Sequence, residues 1–308
     1  MTDELHPSVR RILEKHGVDT FATLASDLST ADLSSLLLAV ASTRAEHRDA
    51  NEVFAQYQRD RFVAPATASP AALREVAIVA TRVAGSFDEV ELAPLAPFGT
   101  HSVLGGISQN RVVTTTRFTE AAADPTNTLA LEAAVRRRDA VDDVRLCAVQ
   151  RVTRAQLSDG PLTFAHFTLF GMVTAGRDRG NHSFEVGELV SHINHHCALI
   201  AALGLGPARV AVSDLSGRQQ QPIDAAIEIL TGNDIAAESW PERQAGVDYY
   251  PSLCFKVYAT GAEGIETEVA DGGVTNWTQA LLQNRKERLV TSGVGLDRLA
   301  LISPQIAS

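Results

Sequence analysis

The sequence predicts an α+β fold, an antiparallel sheet flanked by helices with a small helical unit in front of it. Three observations carry this. The first 62 or so residues hold apolar positions at helical spacing. Two later pairs of β-rich segments are each joined by a short glycine-containing turn, the mark of antiparallel hairpins. The chain then closes on a β-rich segment, two glycines and an apolar helix start, from Thr291 to Leu301.

A chain of 308 residues with 45% hydrophobic content is long enough for one large domain or two ordinary ones. No apolar run approaches the roughly 20 residues needed to span a bilayer. The start, Met1-Thr2-Asp3-Glu4, has neither the basic region nor the apolar core of a signal peptide. Cys147, Cys197 and Cys254 are odd in number, far apart and in apolar surroundings, so they read as reduced core residues. The expected location is the cytoplasm, with no membrane partner. A net charge of −10 argues against a broad nucleic-acid surface.

Taken in order, His6-Pro7 starts a short helix carrying Val9, Ile12 and Leu13, closed by Gly17. Ser29-Thr30 caps a second, with Leu33, Leu36, Leu37 and Val40 on one face. Residues 1–62 are read as this helical unit, and residues 63–308 as the main domain, entered through the linker Val63 to Ala68. Ser69-Pro70 begins a helix with Leu73, Val76, Val79, Ala80 and Val83, ended by Gly85. Phe87 to Pro94 follows as a strand stopped by proline, and Val112 to Thr116 as a β-rich run. Asp124-Pro125 starts a helix that ends in Arg136-Arg137-Arg138, where cations suit a helix C-terminus. That triplet reads as a solvated basic face rather than a nucleic-acid contact.

Val144 to Val149 is a buried-looking strand that runs into Arg151, Thr153, Arg154 and Gln156. The turn Ser158 to Pro161 leads back through a strand from Leu162 to Thr174. Ser183 caps a long helix over Phe184 to Leu203, ended by Gly204. His192 and His196 lie one turn apart in it. They have no accompanying HExxH glutamate or clear third ligand, so they read as structural and no metal site is assigned. After a strand at Arg209 to Ser213 and a helix from Gln221-Pro222, Leu253 to Tyr258 and Ile265 to Val269 form a hairpin across Gly261 to Gly264. Asp271-Gly272-Gly273 reads as a tight turn or as a wall for a ligand. Gly293 and Gly295 are read as a turn that lets the backbone pass close to another group. Arg298, one turn into the last helix, is a fork for a phosphate or carboxylate, or else a solvated cation.

This order resembles the catalytic core of the class II aminoacyl-tRNA synthetases and their paralogues, over about residues 70 to 303. Phe87 to Pro94 and the helix before it resemble motif 1, with a phenylalanine–proline spacing one residue longer than usual. Thr153-Arg154-Ala155-Gln156 and a return strand with Phe164, Phe167 and Gly171 resemble motif 2. Gly293 to Leu299 resembles motif 3. The layout of Arg145 to Leu203 is similar to the phenylalanyl synthetase catalytic chain. Asp271-Gly272-Gly273 is similar to the histidyl synthetase and its regulatory paralogue in histidine biosynthesis.

The resemblance implies an ATP site that works with Mg²⁺. Arg154 would contact the α-phosphate and Arg298 the γ-phosphate. Phe167 would stack on adenine, with Phe164 as the alternative, and Gln156 stands where the family has glutamate. Gly293 and Gly295 would line the nucleotide. The implied activity is ligase chemistry, in which an amino acid or related carboxylate is adenylated and passed to a non-standard acceptor. The alternative is an inactive paralogue that senses a small molecule as the regulatory subunit of a partner enzyme. It is favoured by the apolar return strand His166 to Gly171 and by Gln156. Motif 1 implies a homodimer. No anticodon-binding domain is expected after the third motif, and tRNA is not the expected partner. Arg117, Glu120 and Asn276 are further candidates for the pocket lining.

Overall fold

The computed structural model describes residues 6–17, 21–155, 162–218, 220–261, 263–303 and 306. They fall into two compact units. One holds residues up to 60 together with 114–119, and the other holds 61–113 and the chain from 120 onward.

The first unit is helical. It contains α1 (Pro7–His16), α2 (Thr30–Glu46) and α3 (Ala50–Arg59). Ser29 accepts from the Asp32 N–H at 3.1 Å and starts α2. Asp49 and Glu52 cap the start of α3 reciprocally. The Ser34 hydroxyl donates to the Thr116 carbonyl at 2.8 Å. Neither α2 nor α3 buries a residue, and Leu36, Leu37, Val40, Val53, Phe54 and Tyr57 are exposed.

The second unit opens with α4 (Pro70–Val83), capped by the Ser69 hydroxyl, which accepts from the Ala72 N–H at 3.0 Å. Its strands are β1 (Asp88–Glu89), β2 (Leu95–Pro97), β3 (Thr119–Ala121), β4 (Val144–Thr153), β5 (His166–Arg177), β6 (Arg209–Asp214), β7 (Ala236–Ser239), β8 (Leu253–Thr260), β9 (Glu266–Thr275) and β10 (Glu287–Gly295). The later helices are α5 (Pro125–Arg137), α6 (Ser183–Ala202), α7 (Gln220–Gly232), α8 (Trp277–Leu282) and α9 (Leu296–Ile302). Eight strands form one sheet in the order β1-β4-β5-β10-β9-β8-β6-β7, while β2 and β3 pair separately. The sheet is antiparallel except at its edges, where β1 pairs with β4 and β6 with β7 in parallel.

Strand alternation sorts the side chains into two layers. Cys147, Phe170, Met172, Phe255 and Val290 pack with α4, α6, α7 and α9. Leu146, Ala148, Val173, Ala175 and Leu289 point to the other face, under α5 and Trp277 of α8. Gly272 shows how tight the first layer is. A Cβ there would meet the Phe255 ring at 2.5 Å and the Ser292 Cβ at 2.6 Å.

Several local expectations are corrected. The strand expected from Phe87 to Pro94 shrinks to the two residues of β1, and the run Val112 to Thr116 forms no strand. Pro94 has no N–H to donate to a ladder, so no strand runs on through it. The return strand begins at His166, not Leu162. Ser183 is the first residue of α6, and His182, with left-handed backbone, occupies the cap position. The middle cation of the triplet at the end of α5 is not solvated, while Arg138 is exposed. The Arg137 side chain is 2% exposed and bonds both carboxylate oxygens of Glu287, at 3.0 and 3.2 Å. Glu287 enters from β10, far along the chain. Gly293 and Gly295 belong to β10 rather than to a turn, and Asp271 to Gly273 lie within β9.

Candidate functional site

One cleft in the second unit, of about 530 Å³, gathers the chemistry. Its wall is built where β4, β5 and the start of α5 meet. Asp124 caps α5, accepting from the Thr126 N–H at 2.9 Å and the Thr126 hydroxyl at 2.7 Å. The Arg154 guanidinium, just past the end of β4, donates to the Ala123 carbonyl at 3.0 Å and to Asp124 at 3.4 Å. It lies over the Phe167 ring, 5.2 Å from the centroid, in a cation–π contact. The Tyr249 hydroxyl stands 2.7 Å from that of Thr126 and donates to Asp124 at 3.3 Å.

The floor is β10. A Cβ on Gly293 would meet nothing nearer than the Phe170 carbonyl at 3.8 Å, an ordinary contact, so a methyl group fits there without displacing a neighbour. Arg298, at the start of α9, donates to the Glu268 carbonyl, and to the Leu162 carbonyl at 3.5 Å. Among the described residues it pairs with no carboxylate. Burial holds its guanidinium below its ordinary range. The Asp297 carboxylate accepts from the Thr168 N–H at 2.6 Å.

The far end contains residues that the sequence reading passed over. Arg243, in the segment between β7 and β8, bonds Asp271 of β9 at 2.7 Å, and its side chain is 2% exposed. It also donates to the Ala245 and Phe255 carbonyls. The Tyr250 hydroxyl donates to the other Asp271 oxygen at 2.5 Å. Burial raises the Asp271 carboxyl, against the pull of Arg243 and Tyr250. Lys256 of β8 bonds Glu268 at 2.6 Å. The available signal was Arg243 followed within a few residues by the pair Tyr249-Tyr250, three polar-tipped side chains in a segment with no regular pattern.

Beneath the floor, Ser292 Oγ lies 2.9 Å from His192 Nδ1 and 2.8 Å from His196 Nε2. His192 Nε2 lies 2.9 Å from the Thr174 hydroxyl. Burial lowers both imidazoles, His196 to about 3 and His192 well below its ordinary value, so both rings are neutral near pH 7. Their hydrogen bonds go to hydroxyl groups.

Solved structures share the fold, and three are representative. An ATP phosphoribosyltransferase regulatory subunit/histidyl-tRNA synthetase from Bacillus halodurans C matches 75% of this chain and 79% of its own, with a TM-score of 0.61 at 14% identity. The apo histidyl-tRNA synthetase of S. aureus matches 75% of this chain and 64% of its own, with a TM-score of 0.57 at 13% identity. The RNA binding domain of threonyl-tRNA synthetase from Cryptosporidium parvum Iowa II matches 77% of this chain and 65% of its own, with a TM-score of 0.62 at 9% identity. The fold is class II aminoacyl-tRNA synthetase-like. No protein-family model and no curated protein matches the sequence. Among the described residues, no helix is long and apolar enough to cross a membrane.

On this class II-like sheet, Arg154, Phe167, Gly293, Gly295 and Arg298 all line the one cleft, and Phe164 lines it too. Gln156 lies outside the described residues. Glu120 is fully buried and accepts from the Gly99 and His101 N–H groups rather than facing the cleft. Asn276 precedes α8 and is not part of the lining, and Arg117 belongs to the segment 114–119 of the first unit.

Proposed function

We propose that the cleft binds a small ligand of the amino acid class and that the protein is a ligand-sensing, non-catalytic subunit acting on a partner enzyme. The observation that carries this is the charge balance of the cleft. Arg111, Arg154, Arg243, Lys256 and Arg298 line it against Asp124, Glu268, Asp271 and Asp297, one positive charge in excess. Three of those cations already pair with cleft carboxylates. Such a lining suits a zwitterion or a singly charged acid. A triphosphate would bring more negative charge than the paired cations can answer without breaking their own contacts. Asp124 with Thr126 and Tyr249 offers acceptors for an ammonium group. A structural neighbour that is a regulatory subunit supports a regulatory use of this fold, by analogy only.

The experiment is a thermal-shift and calorimetric screen of the twenty L-amino acids, run beside ATP–pyrophosphate exchange. One amino acid should raise the Tm by mass action on the folded state, with no exchange. Exchange stimulated by that amino acid would overturn the non-catalytic reading.

Adenylation is the second reading, favoured because Arg154, Arg298 and Phe167 share one cleft and Arg298 has no carboxylate partner among the described residues. In it, Phe167 would stack on adenine, while Arg154 and Arg298 would bind the α- and γ-phosphates. A carboxylate would attack the α-phosphorus to give an acyl-adenylate and pyrophosphate. The fit to Mg²⁺ is poor, because Asp124, Glu268 and Asp271 are held by protein cations and Asp297 by the Thr168 N–H, and no group of three or more metal-ligating side chains is gathered among the described residues. Arg298→Ala should then abolish ATP binding with the fold intact. Unchanged ATP affinity in that variant removes Arg298 from the nucleotide site.

A further inference from the structure

We propose that Arg111 receives the anionic end of the ligand and that Glu120 is the positioning residue that holds it there. The proposal rests on the ligand-sensing reading above. Arg111 lines the cleft and is exposed, and among the described residues its guanidinium has no hydrogen bond or ion pair. Arg154, Arg243, Lys256 and Arg298 are each held by protein oxygens. Arg111 is therefore the cation that a ligand can take without displacing an internal partner. A charge-assisted hydrogen bond to an incoming carboxylate costs no broken contact there.

The loop that carries Arg111 has little regular structure. It runs from Phe98 to Val112 through a π-helical turn, Thr100–Leu104, and a short 3₁₀ turn, Gln109–Arg111. Buried Glu120 organises it. One oxygen accepts from the Gly99 N–H at 3.0 Å and from the Gln109 side-chain amide at 2.9 Å. The other accepts from the His101 N–H at 2.9 Å. Burial pushes this carboxyl up, but those bonds outweigh it and hold it below the usual range, so it stays charged. Gln109 is thus tied down two residues before Arg111.

The same network reaches the rest of the cleft. The Arg111 carbonyl accepts from the Ala155 N–H at 2.9 Å, one residue past Arg154. His101 Nε2 accepts from the Ala123 N–H at 3.0 Å, one residue before Asp124. The Ala123 carbonyl in turn accepts from Arg154. One buried carboxylate therefore sets the loop bearing Arg111 in register with both Asp124 and Arg154. Burial of an isolated charge is costly, and here three hydrogen bonds from the loop offset it.

The test is calorimetric titration of the full chain with the twenty L-amino acids and with their amides, which keep the ammonium and lack the carboxylate. The wild type should bind one free acid more tightly than its amide. Arg111→Gln should weaken the acid by about 10- to 100-fold, the span of one lost charge-assisted hydrogen bond, and leave the amide unchanged. Its Tm should match wild type. Arg111→Lys should recover part of the acid preference. Glu120→Gln should lower that preference while the protein stays folded by circular dichroism, a loss that a purely structural role would not confine to the acid. A wild-type acid-over-amide ratio retained in Arg111→Gln overturns the inference and leaves the ligand-sensing reading standing. Equal wild-type affinity for acid and amide does the same. No binding of any amino acid by the wild type removes both.

Discussion

The Arg243 guanidinium stands 2.7 Å from the Asp271 carboxylate, and only 2% of the Arg243 side chain is exposed, against 35% for Asp271. The cation is sealed and the anion reaches the cleft. Asp271→Asn should therefore leave a buried guanidinium with neutral acceptors alone, the amide oxygen and the Ala245 and Phe255 carbonyls. It should lower stability by about 3 kcal/mol, as expected when one partner of a buried pair is removed. Urea unfolding of the variant checks this. The double variant Arg243→Met/Asp271→Asn should lose less than the sum of the single ones, because the stranded charge is gone.

The glycines of β9 and β10 differ in what surrounds them. Gly272→Ala places a Cβ 2.5 Å from the Phe255 ring and should cost roughly 1–3 kcal/mol in overpacking. Gly293→Ala meets nothing within 3.8 Å and should keep wild-type stability while weakening ligand binding, because the methyl group occupies the cleft floor. Thermal denaturation and calorimetry of the two variants separate these effects. A destabilised Gly293→Ala protein with normal binding would contradict the assignment.

The buried histidines set an acid limit. His196 titrates at about 3 in the folded protein, and His192 is also depressed, against roughly 6.5 for histidine in an unfolded chain. The unfolded chain binds more protons in this window, so the contribution is full above pH 6.5 and falls as pH drops from there toward 3. Each such histidine should steepen the loss by up to about 1.4 kcal/mol per pH unit. Urea midpoints between pH 7 and pH 4 should show a shallower slope for His196→Asn than for wild type. Parallel slopes would show that His196 does not carry the effect.

A homodimer is expected from the resemblance of Phe87 to Pro94 to the first class II motif. Leu95, Phe98 and Val103 are exposed just after it. Sedimentation equilibrium at micromolar concentration should give twice the 32.9 kDa chain mass. A monomer would count against that motif assignment.

The α+β class and the β4–β5 and β8–β9 pairings were readable because hairpins are written in local sequence, a turn between two β-rich runs. Arg298 stood out because it lies one turn into the last helix, while Arg154 and Phe167 came from the resemblance to motif 2; all three line the cleft. Long-range partners were not. Arg137 looked like one of three surface cations until Glu287 arrived from β10. Asp271-Gly272-Gly273 read as a tight turn or as a wall for a ligand, and Asp271 does line the cleft. Its place in β9, and its partners Arg243 and Tyr250, depend on neighbours from other strands. Arg111 lies in a loop with no period and Glu120 in the three-residue β3, so the tie between them through Gln109 is made only in the folded chain.

The Ser292 hydroxyl has a single proton to share between two imidazoles. If it donates to His192, His196 must donate to it, and the His192 Nε2–H then points to Thr174. If it donates to His196, every hydrogen bond in the row reverses: Thr174 gives to His192, and His192 gives to Ser292. Both orderings keep all three hydrogen bonds of the row and displace no heavy atom. The layer beneath the cleft thus holds a row of aligned bond dipoles with two directions of polarisation, and the strand that floors the cleft rests on it.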